Sequence, residues 1–419
     1  MDRLIVRGGR PLDGTVDIAG AKNSALPLIA ASLLSERPLV LTRIPAVTDV
    51  DTLLSLVESY GVRVDRDHAH QVTLDAAQAV NVEAHYDVVR RARATVLVLG
   101  PLLARFGSAR VSLPGGCAIG ARPIDLHLMA LSALGAEVSV EGGYVEARAP
   151  GGLTGARIVL SSPSVGATET AMMAATRARG ETEILNAARE PEVADLAACL
   201  IAMGARIEGA GTHRILVAGD ATFQAAAHEL ISDRIEAGTY AVAAAITGGR
   251  LELIGARLEH LGAECQVLER AGARVFPTDR GLMVERTGRL SATDVSTEPF
   301  PGFPTDLQAQ FMALMSVAEG AALIRETIFE NRFMHVPELM RLGADLTLRG
   351  TTVMVRGVER LRGAPVMATD LRASVCLILA GLVAEGETVV SRVYHLDRGY
   401  EDLARKLVRC GADIERESE

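Results

Sequence analysis

One short phrase recurs six times along this chain, and it dictates most of what the chain can fold into. It is a helix-like run that closes on glycine and is followed by an alternating strand. The copies read Ser-Tyr-Gly-Val-Arg-Val, Ala-Leu-Gly-Ala-Glu-Val, Ala-Met-Gly-Ala-Arg-Ile, Arg-Ala-Gly-Ala-Arg-Val, Arg-Leu-Gly-Ala-Asp-Leu and Arg-Cys-Gly-Ala-Asp-Ile. Their glycines, Gly61, Gly135, Gly204, Gly272, Gly343 and Gly411, lie 74, 69, 68, 71 and 68 residues apart. A helix often ends on a left-handed residue, which glycine adopts without a Cβ penalty. Alternating side chains after it start a strand. Repetition at nearly constant spacing marks a chain assembled from copies of one supersecondary unit.

A second helical stretch recurs as well, at Ala21–Leu34, Arg91–Phe106, Val165–Arg177, Asp233–Ile246, Asp306–Val317 and Asp370–Val383. Small and aliphatic residues occupy nearly all sides, so these helices are predicted to lie inside their domains. Composition agrees, since 49% of residues are hydrophobic, only 3% are aromatic and there is no Trp. The cores are therefore aliphatic and close-packed. A chain of 419 residues exceeds one ordinary core, so two domains are expected. The fold class is α/β, built of α+β units with two helices and roughly four short strands each. Three units per domain, with mixed sheets outside and apolar helices inside, satisfy the pattern. The main junction is placed near Ala227–Ser232. A second crossing falls near Gly20, because Leu4–Val6 and Thr15–Ile18 read as strands ahead of the first helix.

A net charge of −9 and the lack of a basic run argue against nucleic-acid binding. Any anionic ligand must instead be held by a few converging cations. Five cysteines without a CxxC pair make a disulfide framework or zinc site unexpected, and a reducing cytoplasm is the natural setting. No metal and no cofactor are expected. The N-terminus has no apolar signal core, and the apolar run Ala373–Ala384 is too short to span a bilayer.

Chemistry gathers at the starts of the inner helices: Lys22 and Asn23; Arg91 and Arg93; Ser164, Val165 and Gly166; Asp233 and Arg234; Asp306; Asp370 and Arg372. A buried helix presents unpaired N–H groups and a positive dipole end there, suited to phosphates and carboxylates. The plainer reading is ordinary capping, and Thr305-Asp306-Leu307-Gln308 does read as a capping box. Six copies suggest helix ends converging in two groups of three. One loop stands apart: Pro-Gly-Gly-Cys-Ala-Ile-Gly-Ala-Arg-Pro-Ile-Asp from Pro114 to Asp125. Its Arg122 favours the thiolate of Cys117. The plainer reading there is a turn whose cysteine is a small buried hydrophobe.

With Lys22-Asn23 and that loop stand Ser-Val-Gly-Ala-Thr (164–168), Ala-Arg-Glu-Pro-Glu (188–192), Phe-Pro-Thr-Asp-Leu-Gln-Ala-Gln (303–310), Glu-Asn-Arg-Phe-Met-His-Val-Pro-Glu (330–338), Ala-Thr-Asp-Leu-Arg-Ala (368–373) and Asp-Arg-Gly-Tyr-Glu (397–401). Together these resemble the enolpyruvyl transferase family, and within it the transferases acting on UDP-N-acetylglucosamine. The resemblance runs the whole chain. It implies two inside-out α/β barrel domains, each three βαβαββ units, spanning 22–231 and 1–21 with 232–419, and an active site in the cleft between them. It implies transfer of the enolpyruvyl group of phosphoenolpyruvate to the 3′-hydroxyl of UDP-N-acetylglucosamine, by addition and elimination with loss of phosphate, the first committed step of peptidoglycan synthesis.

By the same resemblance Cys117 is the acid at the methylene carbon and Asp306 the general base. Lys22 and Asn23 hold phosphoenolpyruvate, with Arg122 and Arg398 completing the anion clamp. Arg93, Arg122, Pro123, Ile124, Asp125, Leu126, Ser162, Ser164, Val165, Gly166, Asp306 and Ile328 contact the UDP-sugar, and Asp370 and Arg372 support the reacting centre. Asp370 and Arg372 alternatively read as a helix-end ion pair of small worth. Arg398 is expected at the start of the last helix. One departure concerns Ser162, where many relatives carry a lysine towards the UDP phosphates. The rivals are a 5-enolpyruvylshikimate-3-phosphate synthase-like transferase and a non-catalytic UDP-sugar-binding paralogue.

Overall fold

The structure is a computed structural model that describes residues 2–67, 70–80, 83–84, 93–113 and 124–418. These divide into two compact units: the first takes the described residues between 20 and 231, the second 2–19 and 232–418. The first carries α1 (Lys22–Ala31), α2 (Thr48–Ser59), α3 (Leu99–Phe106), α4 (Asp125–Ala133), α5 (Val165–Ala175) and α6 (Pro191–Ala202). The second carries α7 (Arg234–Thr247), α8 (Gly262–Arg270), α9 (Gln308–Met315), α10 (Val336–Arg341), α11 (Val375–Gly381) and α12 (Leu403–Arg409). The odd-numbered helices are the apolar ones and are mostly buried, although residues 104–106 at the end of α3 are half-buried. In the second unit α7, α9 and α11 pack on one another. In the first, α3 packs on α5, and α1 packs on the 3-10 turn that leads into α3.

Three four-stranded sheets lie in each unit among the described residues, all with one topology: an edge strand parallel to its neighbour, then two antiparallel pairings. The six repeat glycines have φ between 88° and 109°, the left-handed region that the repeat demanded of them. The sixth repeat lacks its last strand, and the N-terminal strand Arg3–Arg7 fills the vacancy between Glu387–Ser391 and Asp413–Glu417. Strand Asp13–Asp17 likewise completes the sheet of Arg250–Ile254. The N-terminal strands thus belong to the second unit because its repeats are short of them. No helix among the described residues is long and apolar enough to cross a membrane.

Several helix starts differ from expectation. Residues 93–98 and Thr305–Leu307 are 3-10 turns, and α11 begins only at Val375. Polar side chains explain the third case. Asp370 Oδ1 accepts the N–H groups of Arg372 and Ala373 (both 2.7 Å), and Ser374 Oγ accepts those of Thr369 and Asp370 (2.7 and 2.9 Å). Such local bonds compete with the α-helical ladder. The capping box at Thr305 does not form: the Thr305 hydroxyl donates to Glu326 and the Gln308 amide reaches the Arg332 carbonyl. Arg398 does not open the last helix either. It closes the 3-10 segment Val393–Arg398, five residues ahead of α12.

Candidate active site

In the first unit, Lys22 is the first residue of α1 and its side chain is 8% exposed. A lysine is disfavoured by the dipole at that end. Asp49, in the first turn of α2, answers it with an ion pair at 3.5 Å. Asn23 follows, half-buried. Ser164 caps α5 by accepting the Ala167 N–H at 3.4 Å, and Val165 and Gly166 form the helix's first turn. The imidazole of His127 lies against Gly166, where an added Cβ would sit 2.8 Å from its ring, and its Nδ1 meets Thr170 Oγ1 at 2.9 Å. Glycine is therefore the residue that lets α4 close on the start of α5. Ile124 is buried at the N-cap of α4, Asp125 is exposed and Leu126 half-buried. Ser162 is exposed in a bend short of α5. Arg93 opens its 3-10 turn. Cys117, Arg122 and Pro123 lie outside the described residues.

In the second unit the groups are ionic and interlocked. The buried Arg332 guanidinium donates to Asp306 Oδ1 at 2.6 Å, to Thr305 Oγ1 at 3.1 Å and to Asp370 Oδ1 at 3.5 Å. Burial pulls the Arg332 pKa down, but Asp370 and Asp306 outweigh it and leave the pKa raised. The same arginine opposes the burial that would protonate Asp370, whose pKa is lowered. Arg372, 1% exposed, does not pair with Asp370 as a helix-end couple. It donates to Asp233 Oδ2 at 2.7 Å and to the Gly399 carbonyl at 2.6 Å, with its guanidinium 5.0 Å from the Tyr400 ring centroid. Asp233 in turn caps α7 through the N–H groups of Ile235 and Glu236. Gly399 cannot carry a Cβ, which would lie 2.7 Å from the Leu371 carbonyl. That close approach fixes the half-buried Arg398 beside the Asp370–Arg372 turn. The Ile328 N–H is held by Glu326 at 2.8 Å.

The structure thus joins Asp306 to Asp370 through Arg332, and Arg372 to the start of α7. Arg332, Asp233, Asp49 and Glu326, which bond the expected residues, were not themselves among those expected at the site. Arg332 lies in the run Glu-Asn-Arg-Phe-Met-His-Val and Asp233 at a noted helix start, so position was visible without role. Glu326 carried its own signal. Strand Ala321–Arg325 buries Ala322 and Ile324, and the same alternation puts the charged Glu326 on the inward phase.

Six repeats of one β-α-β-α-β-β pattern, the sixth completed by the N-terminal strand, and buried inner helices define a two-unit α/β architecture. A profile of EPSP synthase (3-phosphoshikimate 1-carboxyvinyltransferase) matches residues 6–407, and the chain belongs to that enolpyruvyl transferase family. It is 70% identical to UDP-N-acetylglucosamine 1-carboxyvinyltransferase 2 of Mesorhizobium japonicum, over 99% of both chains. It is 59% identical to UDP-N-acetylglucosamine 1-carboxyvinyltransferase of Gluconacetobacter diazotrophicus, again over 99% of both. Among solved structures it resembles the enolpyruvyl transferase NikO from Streptomyces tendae (TM-score 0.89, 28% identity, 100% of this chain and 99% of that one). EPSP synthase from Acinetobacter baumannii shares the fold (TM-score 0.76, 18% identity, 100% of both chains).

Proposed function

We infer that the chain is a transferase that moves the enolpyruvyl group of phosphoenolpyruvate to the 3′-hydroxyl of UDP-N-acetylglucosamine and releases phosphate, committing the sugar to peptidoglycan. The observation that carries this is the 70% identity, over 99% of both chains, to a relative named for that reaction. The site residues and their roles are our proposal. Asp306 takes the proton of the sugar hydroxyl as its oxygen bonds to C2 of phosphoenolpyruvate. Cys117 gives a proton to the methylene carbon, which yields a phosphorylated tetrahedral ketal. Loss of phosphate and of a methyl proton then leaves the enolpyruvyl ether. Lys22, Asn23, Arg122 and Arg398 hold the phosphate and carboxylate. Arg93, the segment 122–126, Ser162, Ser164, Val165, Gly166 and Ile328 receive the sugar nucleotide.

The second unit's geometry supports this assignment. A general base must be aimed before it acts, and Arg332 holds the Asp306 carboxylate at 2.6 Å. When Asp306 takes a proton, Asp370 remains to balance the arginine. Asp370 and Arg372 act from behind, through Arg332 and through the Gly399 carbonyl beside Arg398. A cytoplasmic location fits substrates of this kind. The reading is tested by phosphate release from phosphoenolpyruvate with either UDP-N-acetylglucosamine or shikimate 3-phosphate as acceptor. Release with the sugar nucleotide is expected. Release only with the shikimate, or with neither, overturns it.

A further inference from the structure

Glu326 has no role in the chemistry above, yet it is 1% exposed and satisfied on both oxygens. Its Oε1 accepts from Thr297 Oγ1 at 2.8 Å, from the Ile328 N–H at 2.8 Å and from the Phe329 N–H at 3.1 Å. Its Oε2 accepts from Thr305 Oγ1 at 2.8 Å. A buried carboxylate is costly unless donors surround it, and here the donors come from two segments with different tasks. One is the turn at 326–329, which carries the nucleotide-contacting Ile328. The other is the 3-10 turn Thr305–Leu307, which carries the base. Beyond Thr305 the path continues without a break. The Thr305 oxygen accepts from Arg332 Nη1 at 3.1 Å, and that nitrogen donates to Asp306 Oδ1 at 2.6 Å.

We propose that Glu326 is a positioning residue that sets the sugar-nucleotide turn and the general base in register, one carboxylate oxygen serving each. The proposal rests on the assignment of Asp306 and Ile328 given above. A residue that merely stabilises the loop would alter both kinetic constants in step with stability. Two separate duties instead predict a split between the two faces of the carboxylate. Thr305→Val cuts only the link towards Asp306, so kcat falls while the KM for UDP-N-acetylglucosamine is retained. Hydrogen bonds to a charged group are worth enough for a loss of about ten- to a hundredfold. Thr297→Val loosens the Oε1 face and frees the Thr327 N–H that the same hydroxyl accepts at 2.8 Å, both in the sugar-nucleotide turn, so KM rises and kcat is retained. Glu326→Gln keeps an acceptor for the amides but presents an NH₂ to Thr305, so it copies the Thr305→Val loss of kcat.

The test is steady-state phosphate release by the full-length protein and these variants, with melting temperatures, and with Glu326→Gln combined with Thr305→Val. Because both changes break the same link, the double variant should be no slower than Thr305→Val alone, a coupling that independent sites would not show. The proposal is overturned if the kcat losses multiply in the double variant. It is also overturned if Thr305→Val and Thr297→Val change kcat and KM alike in proportion to melting temperature. Should Glu326→Gln fail to fold, the opposite splits of the two threonine variants decide alone. Failure of the functional reading looks different: the unaltered protein would release no phosphate with UDP-N-acetylglucosamine, and both claims would fall together.

Discussion

The two units repeat one architecture but place different chemistry at the starts of their inner helices. In the first, α1 begins with Lys22 and α5 with the Ser164 cap and a glycine turn, a cation and backbone N–H groups that suit an anion. In the second, Asp233 caps α7 while Asp306 and Asp370 stand ahead of α9 and α11, with Arg332 and Arg372 threaded among them. The far ends of α1 and α7 show no such divergence. Arg105 and Arg177 bond the carbonyls of Leu33, Leu34 and Ser35 after α1, and Arg286 bonds those of Ala245 and Ile246 at the end of α7. Cations favour helix C-termini in either unit. The repeat therefore fixes where a functional group stands, and the residue occupying the helix start fixes what it does.

The sharpest way to break this comparison is at Asp306. Asp306→Ala should lower turnover by about 10²–10⁴, the usual contribution of a general base, while UDP-N-acetylglucosamine binding and melting temperature stay close to the parent. A variant that melts early yet turns over normally would make Asp306 a structural acid, no different in kind from an ordinary cap. Arg372→Ala probes the same network for stability. Removing one partner of a buried pair typically costs about 3–5 kcal/mol, because Asp233 is left charged and buried. Chemical denaturation should show a loss of that order, well beyond the effect of Asp306→Ala, whose side chain is 24% exposed.

The units should also answer pH in opposite directions. Burial lowers the pKa of His335 in the second unit to about 4, with Asp370 pulling the other way. Its folded pKa lies below the unfolded value of about 6.5, so stability is whole above that pH and is lost as pH falls towards 4. Burial, reinforced by Glu192 and Glu190, raises the pKa of Glu169 in α5 well above its ordinary value. Its folded pKa exceeds the unfolded one, so stability is whole below the carboxylate range and declines as pH rises through it. Urea unfolding should show that His335→Gln flattens the acid side and Glu169→Gln the neutral side. Unchanged slopes in either variant would remove the contrast.

The smallest expected effect concerns the thiols. Burial pushes Cys199 in the first unit and Cys265 in the second up to about 12, and Cys376 well above its ordinary range. At pH 8 about one in 10⁴ of such groups is a thiolate. Mass spectrometry after brief alkylation should place the adduct on Cys117. An adduct at Cys199 or Cys265 in the folded protein would show that burial does not protect these thiols.

Much of the fold was legible because its signals are local. A left-handed glycine at a helix end, an alternating strand and an all-apolar helix each depend on a few neighbouring residues, and six copies made them unmistakable. The site was legible as positions more than as partnerships. Lys22, Ser164, Asp306 and Asp370 could be placed at helix starts, but the 3-10 turn before α9 and the turn that delays α11 to Val375 could not. The second follows from side-chain bonds such as Asp370 to the Arg372 and Ala373 N–H groups. Arg332 shows the limit clearly, since it reaches Asp306 across 26 residues and Asp370 across 38.

The sequence by itself determined the repeat, the inner and outer helices, the aliphatic cores and the residues available at each helix start. Periodicity and backbone preference act over a few residues, so they can be read without knowing the rest of the chain. Only the tertiary structure decided that Arg372 answers Asp233 rather than Asp370, that the N-terminal strand completes the sixth sheet, and that Glu326 joins two distant turns. Those outcomes depend on burial. A charge removed from water takes whichever partner packing brings within reach, and an unpaired strand edge takes whichever strand can cover it, neither of which is written in local order.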